Sequence, residues 1–387
     1  MTITKDYQVV ILSHFYKRAM HGGGPPQEIR DFIVPKVKSL IYIEHPFPYA
    51  DDHRSSMTIY EEGKLKEILF TLPIFGPQTF FYILNIFTTV YFLIRARRKF
   101  DLCIALDSLN TLSTLPFRKL DLINKLVFYT IDYTPVRFKN KLLNYFYHLS
   151  DKIACYNADT IWIVSKKMIE ARKSNGVNLQ KSASSVLLPM GAKLDRITIL
   201  PINQIKRYQI VFVGHLLEKQ GVQLVLKSLV GIIKKIPKVK FVIIGQGEYE
   251  GQLRKLSKRL ELNNFVEFKG FVKSHLEVEK ILCESAIGIA SYKPSIENYT
   301  FYADPGKPKL YLGCGLPMVI TKVPSIAIII DEKKAGFVAE YSVKSITNAL
   351  ITLLSDDALY RQYRKNALRL SREYNTDHLI KEALKQS

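Results

Sequence analysis

At 387 residues the chain exceeds the size at which a single hydrophobic core usually stops growing, so two domains are expected, and 47% hydrophobic with 24% charged residues exclude an intrinsically disordered polymer. The formal charge of +21 does not specify a fold; it points to anionic partners (nucleic acid, an anionic membrane, a phosphorylated substrate) or simply to a solvated lysine-rich surface. Cys103, Cys155, Cys283 and Cys314 stand far apart with no C-x-x-C pair, the start Met1-Thr-Ile-Thr-Lys-Asp carries no signal-peptide pattern, and neither H-E-x-x-H nor D-x-D spacing occurs, so reduced cytoplasmic thiols and no protein-held metal are expected.

Tyr7 to Ser13 is a short, nearly continuous apolar run, as in a strand buried on both faces of a parallel sheet. After it, Gly22, Gly23 and Gly24 precede two prolines and a helical pattern from Gln27. Three glycines there let backbone approach a ligand, although a flexible surface loop is the alternative and the spacing is not G-x-G-x-x-G. Ser39 to Glu44 predicts a second strand. Ile68 to Ile94 contains no charged residue and is closed by Arg95-Ala-Arg-Arg-Lys. Its length permits a membrane span, but strands before and after it that belong to one sheet argue against a single crossing, and Pro73, Gly76 and Pro77 confine the helix to Thr79 to Ile94. Two readings remain: a helix lying in the membrane interface with its basic end on anionic headgroups, or a buried core helix.

Asp101 to Leu106 and Lys125 to Ile131 predict strands that end at Asp107 and Asp132, two acids at strand carboxyl ends. Asp107 suits equally an N-cap. An aromatic-rich helix follows from Arg137 to His148, then a strand at Thr160 to Ser165; the segment before Arg207, with Pro201, reads as a linker. A second series starts at Tyr208. Strands at Tyr208 to Val213, Val239 to Ile244, Val266 to Val272 and Ala286 to Ala290 alternate with helices, and the tail from Ile346 is helical. Between Asn298 and Thr321 the order strand, loop, helix, turn, strand brings Asp304, Gly306, Lys307 and Lys309 to a strand's carboxyl end, where open α/β sheets bind ligands and a helix start offers free N–H groups.

Two doubly wound parallel-sheet domains joined by a linker imply a cleft between them. The segments VFVGHLLEKQGV (Val211 to Val222), FVIIGQGE (Phe241 to Glu248), VEFKGFV (Val266 to Val272) and KPKLYLGCGLPMVIT (Lys307 to Thr321) occur in the order and spacing of the GT-B glycosyltransferases, and the chain resembles their large retaining family four, most closely over Tyr208 to Thr321. The resemblance implies domains at 1–196 and 208–370, a terminal helix at 371–387 that packs back on the first, and transfer of a sugar from a nucleoside diphosphate to a glycan or lipid-linked glycan. It further implies retained configuration, no metal and no cofactor beyond that donor substrate.

What the resemblance implies for the donor site is Gly214, His215, Lys219, Gly245, Gly247, Phe271, Val272, Glu297, Asp304 and Lys307. Departures accompany it. His215 stands where the family usually has an arginine for the diphosphate, Gln220 where it has a lysine, and Tyr302 and Leu310 where it has the E-x7-E pair. Asp304 is therefore expected to take sugar hydroxyls and to act as a catalytic carboxylate, unless it only caps its turn, and Lys307 with Lys219 to take phosphates. Lys309 is expected to be solvated. In the first domain Gly22, Gly23, Gly24 and Asp107 are expected to face the acceptor, with Asp132 as a catalytic carboxylate where the family often has a His-Asp pair. A peripheral position on the inner face of an anionic membrane is expected. Nucleic acid is not, for want of a recognition helix or aromatic RNA-reading motif. A sugar-nucleotide or glycan-binding protein without catalysis is the alternative.

Overall fold

The computed structural model describes Met1, residues 3–15, residues 24–295 and residues 299–387. The chain forms two compact units, Met1–Pro189 with Ile380–Ser387, and Met190–Leu379. The division falls at Pro189, ahead of the linker at 197–207.

The N-terminal unit holds β1 (Gln8–Phe15), α1 (Pro25–Ile33), β2 (Ser39–Pro46), β3 (Ser56–Glu61), β4 (Lys64–Phe70), α2 (Gln78–Ala96), β5 (Leu102–Leu106), α3 (Ser108–Lys119), β6 (Leu126–Thr130), α4 (Lys141–Asn157), β7 (Thr160–Ile163), α5 (Lys167–Ser174) and β8 (Ser184–Leu187). Among the described residues these strands make one sheet in the order β4-β3-β2-β1-β5-β6-β7-β8. From β2 to β8 the pairing is parallel; β3 and β4 add an antiparallel hairpin. That hairpin lies outside the sequence reading because β4 is polar and mostly exposed. Its turn, Glu62-Gly63, has both residues at positive φ, the backbone that a two-residue hairpin needs. The charge-free window beginning at Ile68 thus opens as the end of β4.

α2 has one buried and one exposed apolar stripe. Phe81, Asn85, Thr89, Phe92 and Leu93 form a buried stripe, with Phe92 and Leu93 in the core alongside Ile41, Ile43 and Met57. Phe80, Ile83, Phe87, Tyr91 and Ile94 form an exposed apolar stripe on the opposite side. By length and composition the helix could cross a membrane, with a mean hydropathy of 1.4.

The C-terminal unit holds β9 (Lys206–Val213), α6 (Val222–Lys235), β10 (Lys240–Ile244), α7 (Glu250–Arg259), β11 (Val266–Gly270), α8 (His275–Glu284), β12 (Ser285–Ala290), α9 (Gly306–Gly313), β13 (Met318–Thr321), α10 (Ile326–Glu332), β14 (Gly336–Ala339), α11 (Val343–Ser355) and α12 (Asp357–Ser371). α13 (Thr376–Gln386) starts in this unit and ends in the N-terminal one, where the Trp162 indole N–H donates to Ser387 Oγ at 2.7 Å. The sheet order is β11-β10-β9-β12-β13-β14, all parallel. Strand order reverses between β9 and β12 here, and between β1 and β5 in the N-terminal sheet. Such a switch point opens a crevice at the strands' carboxyl ends.

Candidate functional site

In the C-terminal unit the loops after β9, β10 and β12 meet at the switch point. The Gly214 N–H donates to Ile244 O at 3.0 Å, the Leu216 N–H to Gln246 O at 3.0 Å, and the Gly245 N–H to Gly270 O at 2.8 Å. A Cβ on Gly245 would lie 2.0 Å from Gly214 O, and one on Gly221 1.8 Å from Ser291 O, both at positive φ. These glycines are needed because backbone packs on backbone, which pins the crevice wall. Gly247 abuts His215 and Leu216. His215 is exposed, Phe271 is exposed, and Val272 packs against the core.

Lys307, the second residue of α9, reaches back over Gly214. Its ammonium lies 3.9 Å from the Phe212 ring centroid and 5.1 Å from that of Tyr292, and it donates to Gln220 Oε1 at 2.8 Å. Among the described residues it has no ion pair. Burial holds its pKa well below the ordinary lysine value. Lys219 is held down by burial too, partly offset by Glu248. Gln220, where the resemblance suggests a lysine, thus steadies a lysine from another element.

Asp304 and Lys309 correct the sequence reading. Lys309 is fully buried rather than solvated, and it pairs with Asp304 Oδ1 while donating to Pro305 O at 3.1 Å. Asp304 Oδ2 accepts from the Met190 N–H at 2.8 Å. Burial raises the Asp304 pKa against the pull of Lys309 and the Met190 N–H. With both oxygens engaged inside the unit, Asp304 is scaffold: it ties the start of α9 to residue 190. Leu310 packs against the core and Tyr302 is buried. Glu297, Gly22 and Gly23 lie outside the described residues.

In the N-terminal unit a cavity of about 770 Å³ opens at the switch point between β1 and β5, lined by His14, Gly24, Asp107 and Asp132 among others. Asp107 is the N-cap of α3, accepting from the Asn110 N–H at 2.9 Å, and its Oδ2 also faces His14 Nδ1 at 2.7 Å and Asn110 Nδ2 at 3.0 Å. It is both cap and cavity acid. Its backbone, at φ 77° and ψ 165°, lies in a region that side-chain-bearing residues rarely enter, a strain that clusters at functional positions. The His14 imidazole stacks on Phe47, with ring centroids 5.1 Å apart, and its Nε2 faces Asn85 Nδ2 at 3.3 Å. Asp132 is exposed and accepts from Arg137 at 2.6 Å. Asp151 lies at the cavity wall in a buried two-point pair with Arg172, at 2.8 and 2.7 Å.

His14 and Arg137 escape the sequence reading. His14 directly follows the apolar run of β1, and a polar residue at a strand's carboxyl end is the signal that marks it. Arg137 precedes the true start of α4, whose N-cap is Asn140, accepting from the Leu142 and Leu143 N–H groups.

Two doubly wound parallel-sheet units in one chain define the GT-B class of fold, and solved structures match it along the whole length. Sucrose-phosphate synthase from Thermosynechococcus elongatus aligns at a TM-score of 0.70 and 14% identity, covering 98% of both chains. Anabaena HepE in complex with UDP and glucose aligns at 0.69 and 13%, again covering 98% of both. Residues 207–356 match the family model of the glycosyl transferases group 1. An uncharacterized glycosyltransferase of Haemophilus influenzae is 26% identical over 192 residues, 48% of this chain and 51% of the relative, so the chain spans about half the length of that curated protein.

Proposed function

We propose that the protein is a glycosyltransferase that moves a sugar from a nucleoside diphosphate onto a glycan or lipid-linked glycan, with retention and without a metal, at the cytoplasmic face of a membrane. Lys307 carries the reading. A half-buried ammonium with no ion pair among the described residues, on two aromatic faces at a helix start, suits a donor diphosphate as its counter-charge. The group 1 match over 207–356 supports it, as does the fold shared with HepE, whose structure holds UDP and glucose. Asp132, beside Arg137 in the N-terminal cavity, is the carboxylate proposed for the acceptor side. Asp132→Ala is expected to cut turnover with a matched donor, and unchanged turnover removes that assignment.

A thermal-shift panel of UDP-, GDP- and TDP-sugars tests the donor site, because a ligand that binds only the native state raises its melting temperature. Absence of any shift sinks the reading. The engagement of Asp304 inside the unit, with Tyr302 and Leu310 in place of glutamates, favours a second reading, a sugar-nucleotide binder without catalysis. A shift with no release of nucleoside diphosphate in the presence of acceptors selects it.

For the membrane, the exposed stripe of α2 ends at Arg95, Arg97 and Lys99, while Arg98 is held by Glu61 and Ser39. Co-sedimentation with anionic liposomes is expected to fall with salt and on neutralising those three cations. Failure to sediment even at low salt counts against it.

A further inference from the structure

The N-terminal cavity has two chemically different ends. Its floor, at the carboxyl ends of β1 and β5, carries Ser13, His14, Asp107 and Ser108, with Asp132 and Arg137 beside them. Its outer wall comes from α2, through Tyr82, Ile83 and Ile86, and from α4, through Leu143 and Phe146. Ile83, Leu143 and Phe146 are also 48%, 37% and 55% exposed. A side chain that both lines a cavity and meets solvent stands where the cavity opens: the apolar Ile83, Leu143 and Phe146 do so on the α2 and α4 side, and the polar Asp132 and Arg137 do so on the other. On the same two helices Phe80 and Phe87 of α2 and Leu142 and Tyr145 of α4 are exposed as well. Clustered apolar exposure of this kind marks a surface that something covers.

The floor selects what enters. Asp151 is neutralised by Arg172, so among the described lining residues Asp107 and Asp132 face one cation, Arg137. Two carboxylates to one cation repel a strong anion and accept hydroxyls well. Asp107 is prepared for this by His14 and Asn110, which grip its carboxylate while its backbone sits in a strained conformation. A hydroxyl-rich floor ligand alone would leave the apolar side of the mouth wet.

We infer that this cavity takes an amphiphilic acceptor: an uncharged, sugar-like head on the Asp107 floor and an apolar chain leaving between α2 and α4 past Ile83, Leu143 and Phe146. The inference rests on the sugar-transfer reading and narrows its acceptor to a glycoside with an apolar aglycone, excluding a free oligosaccharide. Ile83 and Phe146 become specificity-determining residues for the chain, and His14 a positioning residue that acts through Asp107.

The test is calorimetric binding of n-alkyl glucosides, galactosides and mannosides, methyl to decyl and below micellar concentrations, to the full-length protein. For at least one head group, affinity is expected to rise up to about fourfold per methylene until the mouth is filled, the value of burying one CH₂ group. Ile83→Ser and Phe146→Ser, both at half-exposed positions, are expected to flatten that slope. Asp107→Asn is expected to lower affinity equally at every chain length, and Tyr91→Ser, on the exposed stripe outside the cavity, to change nothing. Affinity independent of chain length, no binding of decyl glycosides, or a slope that Tyr91→Ser reduces as much as Phe146→Ser overturns the inference. The nucleotide-sugar thermal shift on the same samples keeps the readings apart: its presence with a flat chain-length series sinks the acceptor inference alone, and its absence sinks the sugar-transfer reading.

Discussion

The two units share a topology and differ in how they use it. Both have a parallel sheet whose strand order reverses once, the N-terminal one with an added antiparallel hairpin, and in both the candidate site residues gather at that reversal. In the C-terminal unit the loops close on one another, backbone against backbone at Gly214, Gly221 and Gly245, and the Lys307 ammonium beside them has no ion pair among the described residues. In the N-terminal unit the loops stand apart around about 770 Å³, with aromatic walls and three carboxylates, one of them paired with Arg172. A switch point therefore provides a place to bind. Loop composition decides what binds there: glycines that let amides and a lysine converge suit a phosphate, and aromatic side chains with carboxylates suit a hydroxyl-bearing, partly apolar molecule.

The largest effect on this contrast should come from the scaffold beneath Lys307. Lys309→Met leaves Asp304 buried and unpaired, and urea unfolding should show a loss of about 3–5 kcal/mol. The double variant Asp304→Asn with Lys309→Met should recover most of it. A single variant as stable as the parent would mean that the pair does not hold α9.

Next in size is Lys307→Met. Losing a charge-assisted bond worth about 1.5–3 kcal/mol should weaken the donor roughly ten- to hundredfold while raising the melting temperature of the unliganded protein, since a costly buried charge is gone. Unchanged donor affinity would place the diphosphate elsewhere.

The same lysine sets a pH dependence. Burial depresses its pKa, so the folded protein gives up a proton that the unfolded chain keeps, and this contribution to stability rises with pH between the depressed value and the ordinary lysine value. A bound diphosphate restores the charged form. Donor binding should take up a proton in that window and weaken as pH climbs through it. Calorimetry in two buffers of different ionisation enthalpy measures the uptake, which Lys307→Met should abolish.

The smallest effect tests whether the units are energetically separate. Asn140→Ala removes the N-cap of α4 and should cost about 1 kcal/mol without moving donor affinity; a change in that affinity would show that the two sites are coupled.

Much of this was written locally. Continuous apolar runs such as Val9 to Leu12 and Ile210 to Phe212 predict buried parallel strands, because only a strand covered on both faces stays apolar at every position. Glycines and Lys307 at strand carboxyl ends mark the candidate crevice for the same local reason. The polar pairings needed the tertiary structure. His14 meets Asp107 across 93 positions, and Asp304 meets the Met190 N–H across 114, distances over which no periodicity carries information. Lys309, two positions from Lys307 on α9, reads in sequence as solvated, yet successive helical residues two apart face different ways, and it is buried. One points to an open crevice and the other into a core that holds its carboxylate. What sequence alone determined was the alternation of strands and helices and the ends at which ligands gather. Strand order and helix facing, which depend on contacts far along the chain, decided which charged groups are free to meet a ligand and which are spent holding the protein together.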